Sequence, residues 1–211
     1  DYELLKTADL IIFAGGGLIK YRQEEFHAHV PCILECAAQN EIPVYFNCVG
    51  VEGYDAFDAR CLRLAEMLNA DCVKTITVRD DLETLRRDYL KTDRIAAVSA
   101  IDPAVFTPQV YGISKCTQSK TIGLGIVRYR IFEDYGIPQI TKEFQLEMWK
   151  GIAKELEARG YEWQFYVNGL RSDYDFALEL LQYMGKQAEV SKLLAPRPAE
   201  SSELVALTAS Y

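Results

Sequence analysis

Only two histidines, His27 and His29, occur in the 211 residues. There is no Ser-His-Asp pattern and no Gly-x-Ser-x-Gly elbow, so hydrolysis driven by a local histidine base is poorly supported. Basic charge is also short: 23 Lys and Arg face 31 Asp and Glu, for a net charge of −8. A broad nucleic-acid footprint needs clustered cations, so DNA and RNA are not expected partners. An acidic chain can still bind a small anion where a few arginines and helix N-termini converge. None of the six cysteines, Cys32, Cys36, Cys48, Cys61, Cys72 and Cys116, forms a Cys-x-x-Cys pair. Most lie in apolar stretches and read as reduced, buried thiols. His27, His29, Cys32 and Cys36 crowd together, but Pro31 interrupts them and no second ligand pair follows, so no metal is expected. No apolar run approaches the roughly 18 residues of a spanning helix. The first residues lack the basic start and cleavage site of a signal peptide. The chain therefore reads as cytoplasmic and not transmembrane.

What is present suits a folded protein. Hydrophobic residues make up 49% and charged residues 26%, an ordinary globular balance. The length allows one large core or two modest ones, because domains commonly run to roughly 100–150 residues. Segments rich in β-branched and aromatic residues alternate with helix-period segments. Strands are predicted over Asp9–Ala14, Ile42–Val51, Val73–Val78 and Arg94–Ser99, with helices over Arg22–Gln39, Phe57–Asn69 and Asp80–Tyr89. The run Leu10-Ile11-Ile12-Phe13, apolar on both faces, suits the middle of a parallel sheet covered by helices on each side. A polar, turn-rich stretch from Thr107 to Thr121 reads as a linker. A second series comes next: strand Thr121–Val127, helix Lys142–Arg159, strand Trp163–Val167 and helix Asp173–Met184. Ser201-Ser202-Glu203 reads as an N-cap with an acidic first turn opening a short helix. The fold class is α/β, with two Rossmann-like domains over residues 1–106 and 121–211, joined by a linker over 107–120. Asp1–Ala8 reads as a helix leading into a strand and Leu204–Tyr211 as one that should feed another, so the chain is expected to be an internal piece of a longer protein, with both domains incomplete.

Four features carry chemistry. Gly15-Gly16-Gly17 follows the first apolar strand, where glycines let the backbone turn sharply and let a ligand reach main-chain N–H groups. The triplet is neither a Gly-x-Gly-x-x-Gly fingerprint nor a P-loop, and the competing reading is a tight strand-to-helix turn. Asn47 to Asp55 ends a second strand with Gly50, Glu52 and Gly53, which sit beside the first glycines if the two strands are neighbours. Arg60 beyond it is at least as well explained by a solvated helix face. Arg79 ends the third strand and can form a bidentate contact to carboxylate or phosphate, or pair with Asp55, Asp81 or Glu83. Asp80 beside it reads mainly as an N-cap. In the second half, Gly123-Leu124-Gly125-Ile126-Val127-Arg128 suggests close backbone packing and makes Arg128 the best single anion-binding candidate. Asn168-Gly169 is weaker, being equally a turn. Phe144, Trp149 and Trp163 fall at core spacing.

The ordered set Ala8-Asp9-Leu10-Ile11-Ile12-Phe13-Ala14-Gly15-Gly16-Gly17, Val49-Gly50-Val51-Glu52, Thr77-Val78-Arg79-Asp80, Asp102-Pro103 and Gly123-Leu124-Gly125-Ile126-Val127-Arg128 resembles the polysaccharide pyruvyl transferase family. The resemblance implies a GT-B-like arrangement of the two domains around a cleft. It also implies transfer of the enolpyruvyl group of phosphoenolpyruvate onto a sugar, closing a pyruvate ketal on a cell-surface or exopolysaccharide glycan. Phosphoenolpyruvate is then the donor substrate, no cofactor is needed, and the acceptor is a saccharide or lipid-linked glycan; peripheral association with a membrane stays open. By the same resemblance Gly15, Gly16, Gly17, Glu52, Arg79, Arg128 and Asn168 are candidate substrate-binding residues. The family's opening strand and its Arg-x-His-x-x-x-x-Ala motif are missing from this sequence, so the catalytic residue is unassigned and this piece alone is expected to be inactive. Because the same architecture serves other chemistry, a nucleotide-sugar glycosyltransferase and a non-catalytic relative are the alternatives.

Overall fold

A computed structural model describes residues 2–22, 26–114 and 119–211, which leaves Cys116 and part of the expected linker outside the described residues. The chain divides into two compact units, Asp1–Val105 and Phe106–Tyr211. In the first, α1 (Tyr2–Leu5) leads to β1 (Ile11–Ala14), α2 (Phe26–Gln39) to β2 (Val44–Val49), and α3 (Ala59–Leu68) to β3 (Val73–Val78). A short α4 (Leu82–Thr84) runs into a π-turn over Leu85–Tyr89 before β4 (Ala96–Ser99). The strands lie parallel in the order β1-β2-β3-β4. Stripes at helical spacing, Val30, Leu34 and Ala37 on α2 and Cys61, Leu64, Ala65 and Leu68 on α3, are buried against this sheet. Asp58 starts α3 by accepting a hydrogen bond from the Arg60 amide at 2.8 Å.

The two faces of the sheet differ. Every step in the strand order runs the same way, so right-handed crossovers place α2, α3 and the π-turn on one face. Val44, Phe46, Ile76 and Ala97 point into that side and are buried, and Phe13 stacks on Phe46 with centroids 4.5 Å apart. The alternate residues Ile12, Tyr45 and Val98 are 57%, 38% and 45% exposed. This corrects the expectation of a sheet covered on each side with Leu10 to Phe13 at its middle: β1 is an edge strand, and the one-way order leaves its other face open.

Around the expected linker, a 3-10 turn over Pro103–Phe106 continues into α5 (Thr107–Tyr111). Pro108 in its first turn and left-handed Gly112 at its end, φ 64°, bound this helix within a stretch whose composition reads as loop. The second unit then has β5 (Thr121–Gly125), α6 (Ile131–Asp134), α7 (Lys142–Ala158), β6 (Glu162–Tyr166), α8 (Arg171–Tyr183), α9 (Val190–Leu193) and α10 (Ser201–Ala209). Strands β5 and β6 pair in parallel, and Leu194 adds a bridge to Phe165 on the far side. Trp163, Phe165 and Val167 are buried with Phe176, Leu180 and Leu181 of α8, and Trp149 packs on this core. Phe144 does not: it is 56% exposed on α7, correcting its assignment to the core. Helix α10 opens at Ser201 as expected, but no side chain caps it from Glu200, and the Glu203 carboxylate instead accepts from the Ala199 amide at 2.8 Å.

Candidate functional site

At the carboxyl edge of the first sheet the glycine triplet is a bulge within an extended strand. Gly15 and Gly16 adopt φ of 64° and 74°, a region that side chains disfavour. The Gly15 amide donates to the Asn47 carbonyl at 2.8 Å, and Gly50 donates to the Gly16 carbonyl at 2.7 Å. The chain then resumes its direction, with Ile19 bridging Val51 in parallel. A strand-to-helix turn is thereby excluded, since the chain runs on without helix from Gly17 through Arg22. The two glycine signals meet as the strand order requires: a Cβ on Gly50 would stand 3.2 Å from Gly17 Cα, 3.0 Å from Asp80 Oδ2 and 3.4 Å from Arg79 Nη2.

Charged side chains surround this backbone contact. Arg79 donates to Asp102 at 2.8 Å and lies 4.0 Å from Asp80, so its partners are neither Asp55, Asp81 nor Glu83. About a third of its side chain stays exposed. Asp80 is not the helix cap: its Oδ1 accepts from the amides of Val51 and Asp81, both at 2.8 Å, while Asp81 caps α4 through the Thr84 amide at 2.9 Å. Bonds from the Thr84 hydroxyl and then from its amide hold the Asp81 carboxyl below its usual range. Asp80 therefore locks the end of β3 to the strand beyond Gly50. Glu52 lies 3.8 Å from Lys20 Nζ, and its Oε1 is 3.7 Å from a Cβ built on Gly17. Arg60 is taken up by Asp58, with two bonds of 3.0 and 2.6 Å.

In the second unit Arg128 lies just beyond β5. Its amide donates to Asp173 Oδ1 at 2.9 Å, and its guanidinium donates to Asp134 at 2.8 Å. The next carbonyl, that of Tyr129, accepts from Gln145 Nε2 at 2.7 Å. Asp173 is 3% and Gln145 2% exposed. Asn168, beyond β6, lines a cavity of about 250 Å³ with Gly169, Arg197 and the first residues of α10, and Arg128 is not among its walls. Gly123 and Gly125 do pack closely: a Cβ on the first would overlap the Tyr211 ring at 2.3 Å, and one on the second would touch the Tyr166 hydroxyl at 3.0 Å.

The structure thus gathers Gly15, Gly16, Gly17, Glu52 and Arg79 at one sheet edge, and places Arg128 and Asn168 at neighbouring strand ends of the other unit. Sequence reasoning missed Lys20, which is 7% exposed with Nζ 5.1 Å from the centre of the Phe26 ring. It also missed Asp173 and Gln145. The signal was available: Asp173 shares the stripe of Phe176, Ala177 and Leu180, and Gln145 shares that of Trp149 and Ala153, so each is a polar residue at a core position. Chemically, the Gly15 and Gly50 amides are spent on strand pairing, so the first edge offers an anion the Gly16 and Gly17 amides and a guanidinium, with carboxylates close enough to hold or receive protons. Against known proteins, the chain matches no family model, no curated protein and no solved structure.

Proposed function

We propose that this α/β chain belongs to an enzyme of the polysaccharide pyruvyl transferase type, binding phosphoenolpyruvate at its glycine-lined strand ends and passing the pyruvyl group to a sugar. The observation that carries the reading is the meeting of Gly15–Gly17 with Gly50, where a built Cβ would stand 3.4 Å from Arg79 Nη2. Parallel sheets offer ligands their carboxyl edge. A backbone without Cβ atoms lets phosphate oxygens approach amides, and an arginine fork matches a carboxylate or phosphate in two bonds. Arg79 would exchange Asp102 for the ligand, and the fixed cation would offset charge on the departing phosphate. Ketal formation bonds two acceptor oxygens to C2 of the donor, protonates C3 to a methyl group and releases phosphate with the second hydroxyl proton. Glu52 beside Gly17, Asp80 beside Gly50 and Asp102 on Arg79 are the candidate proton carriers of this edge. The reading includes the GT-B-like arrangement that the resemblance implies and the cytoplasmic location expected from the sequence; among the described residues no helix is long and apolar enough to cross a membrane.

Thermal denaturation of the chain with added donor tests it. Phosphoenolpyruvate at about ten times its dissociation constant should stabilise the protein by roughly 1.4 kcal/mol, and Arg79→Gln should weaken the affinity about tenfold or more. Stabilisation by a sugar nucleotide and not by phosphoenolpyruvate would favour a glycosyltransferase instead.

A further inference from the structure

The loop after β5 is held more firmly than its exposed position needs. Lys20, Thr84, Gln145 and Asp173 are the buried polar or charged residues among the described ones, and two of them, Gln145 and Asp173, grip the adjacent residues Arg128 and Tyr129. Burying an amide and a carboxylate is costly unless their bonds are satisfied, and both spend those bonds on this backbone. What the clamp presents is Arg130. Its Nε donates to the Tyr129 hydroxyl at 3.1 Å, and its guanidinium carbon lies 5.7 Å from the centre of that ring. The ring is itself fixed, tilted against Phe176 with centroids 5.8 Å apart. Arg128 spends one terminal nitrogen on Asp134, whereas no carboxylate among the described residues lies within ion-pair distance of Arg130. Lys142, 4.9 Å from the same ring centre, has its charge held by Glu179.

We infer that Arg130 is the cation of the second unit that contacts an anionic ligand directly, its two terminal nitrogens receiving a phosphate or carboxylate, while Arg128 positions the loop through Asp134. This deepens the proposed function and rests on its view that strand ends here bind a phosphorylated acid. An oriented guanidinium with unspent donors loses little freedom on binding a planar or tetrahedral oxyanion. Arg128, by contrast, would first have to give up Asp134.

Isothermal titration of the 211-residue chain with phosphoenolpyruvate, and separately with inorganic phosphate, tests the assignment. Arg130→Gln should weaken binding roughly tenfold or more, the usual scale for truncating a charged hydrogen bond. Arg130→Lys should recover only part of it, since an ammonium cannot make the paired contact. Tyr129→Phe removes only the hydroxyl that steers the guanidinium and should weaken binding by about threefold, the scale of one neutral hydrogen bond, with the melting temperature of the free protein unchanged. If Arg130→Gln binds like the unaltered chain while Arg79→Gln or Arg128→Gln loses affinity, the assignment to Arg130 fails and the functional reading stands. If the unaltered chain binds neither probe at millimolar concentration, both fail.

Discussion

A methyl group at Gly50 would enter space already held by Asp80 Oδ2 and Gly17 Cα, at 3.0 and 3.2 Å. Backbone on one side cannot swing away as a flexible side chain can, so Gly50→Ala must shift the bulge or displace Asp80 from the Val51 amide. Overpacking of this kind costs about 1–3 kcal/mol. Gly53, three residues on, has nothing within 4 Å of a built Cβ and serves as the control, with an expected change under about 0.5 kcal/mol. Urea denaturation of the two variants compares them; equal midpoints would show that the Gly17–Gly50 contact is looser than described. At this scale the sequence pointed to residues that the fold brings to one edge, but not to what they touch. The glycines and Arg79 stand out because strand ends punctuated by glycine are rare outside turns and ligand edges. Arg79's partner does not, since Asp102 lies 23 residues away and only the return of the chain through β4 brings it to 2.8 Å. Gln145 and Asp173 do not stand out because a polar residue inside an apolar stripe looks like noise until a buried backbone group is found to need it, and Lys20 does not because Glu52 reaches it only through the pairing beyond Gly50.

Elements were legible where periodicity was strong and obscure where topology decided. Strand β3 matches its predicted bounds, and α7 and α8 differ from theirs by one or two residues, within the usual fraying of ends. The open face behind Ile12, Tyr45 and Val98 was not legible, because strand order is not written in any one segment, and an apolar run reads the same at an edge as at a centre. Helix α10 shows the same limit. Its sequence gives a capped start, yet its contribution lies just past its last turn, where Tyr211 reaches across β5 over Gly123 and its hydroxyl donates to Gln164 at 2.7 Å. Burial pushes the Tyr211 phenol up to about 12. A phenol whose folded value is raised lends stability that is complete below its unfolded value near 10 and is lost as pH rises through about 12. In Gly123→Ala the ring must leave, since the new carbon would sit 2.3 Å from it. Absorbance titration of tyrosinate should then show one phenol moving down from about 12 toward its ordinary value. The variant should also lose less stability than the unaltered chain between pH 10 and about 12. A titration curve identical in both would mean that Tyr211 does not cover β5.

At the scale of the whole molecule, each unit carries its own hydrophobic core. Leu64, Leu68, Ile76 and Tyr89 belong to one cluster and Phe165, Phe176, Leu180 and Leu181 to another, and each cluster is drawn from within its own unit. Cooperativity tracks the contacts that are lost together, so a chain with two separate cores need not unfold in one step. Calorimetry should resolve two transitions, and paired core truncations can assign them. Leu64→Ala and Leu180→Ala each empty a fully buried site, which costs about 2–5 kcal/mol. The first should lower only the transition of residues 1–105 and the second only that of residues 106–211. Ligand sharpens the assignment, because a molecule bound by native structure raises the melting of whatever unit holds it. If Arg79 holds phosphoenolpyruvate, saturating donor should raise the first transition, and Arg79→Gln should diminish that rise. A single transition that every truncation shifts by the same amount would show that the two cores melt as one body.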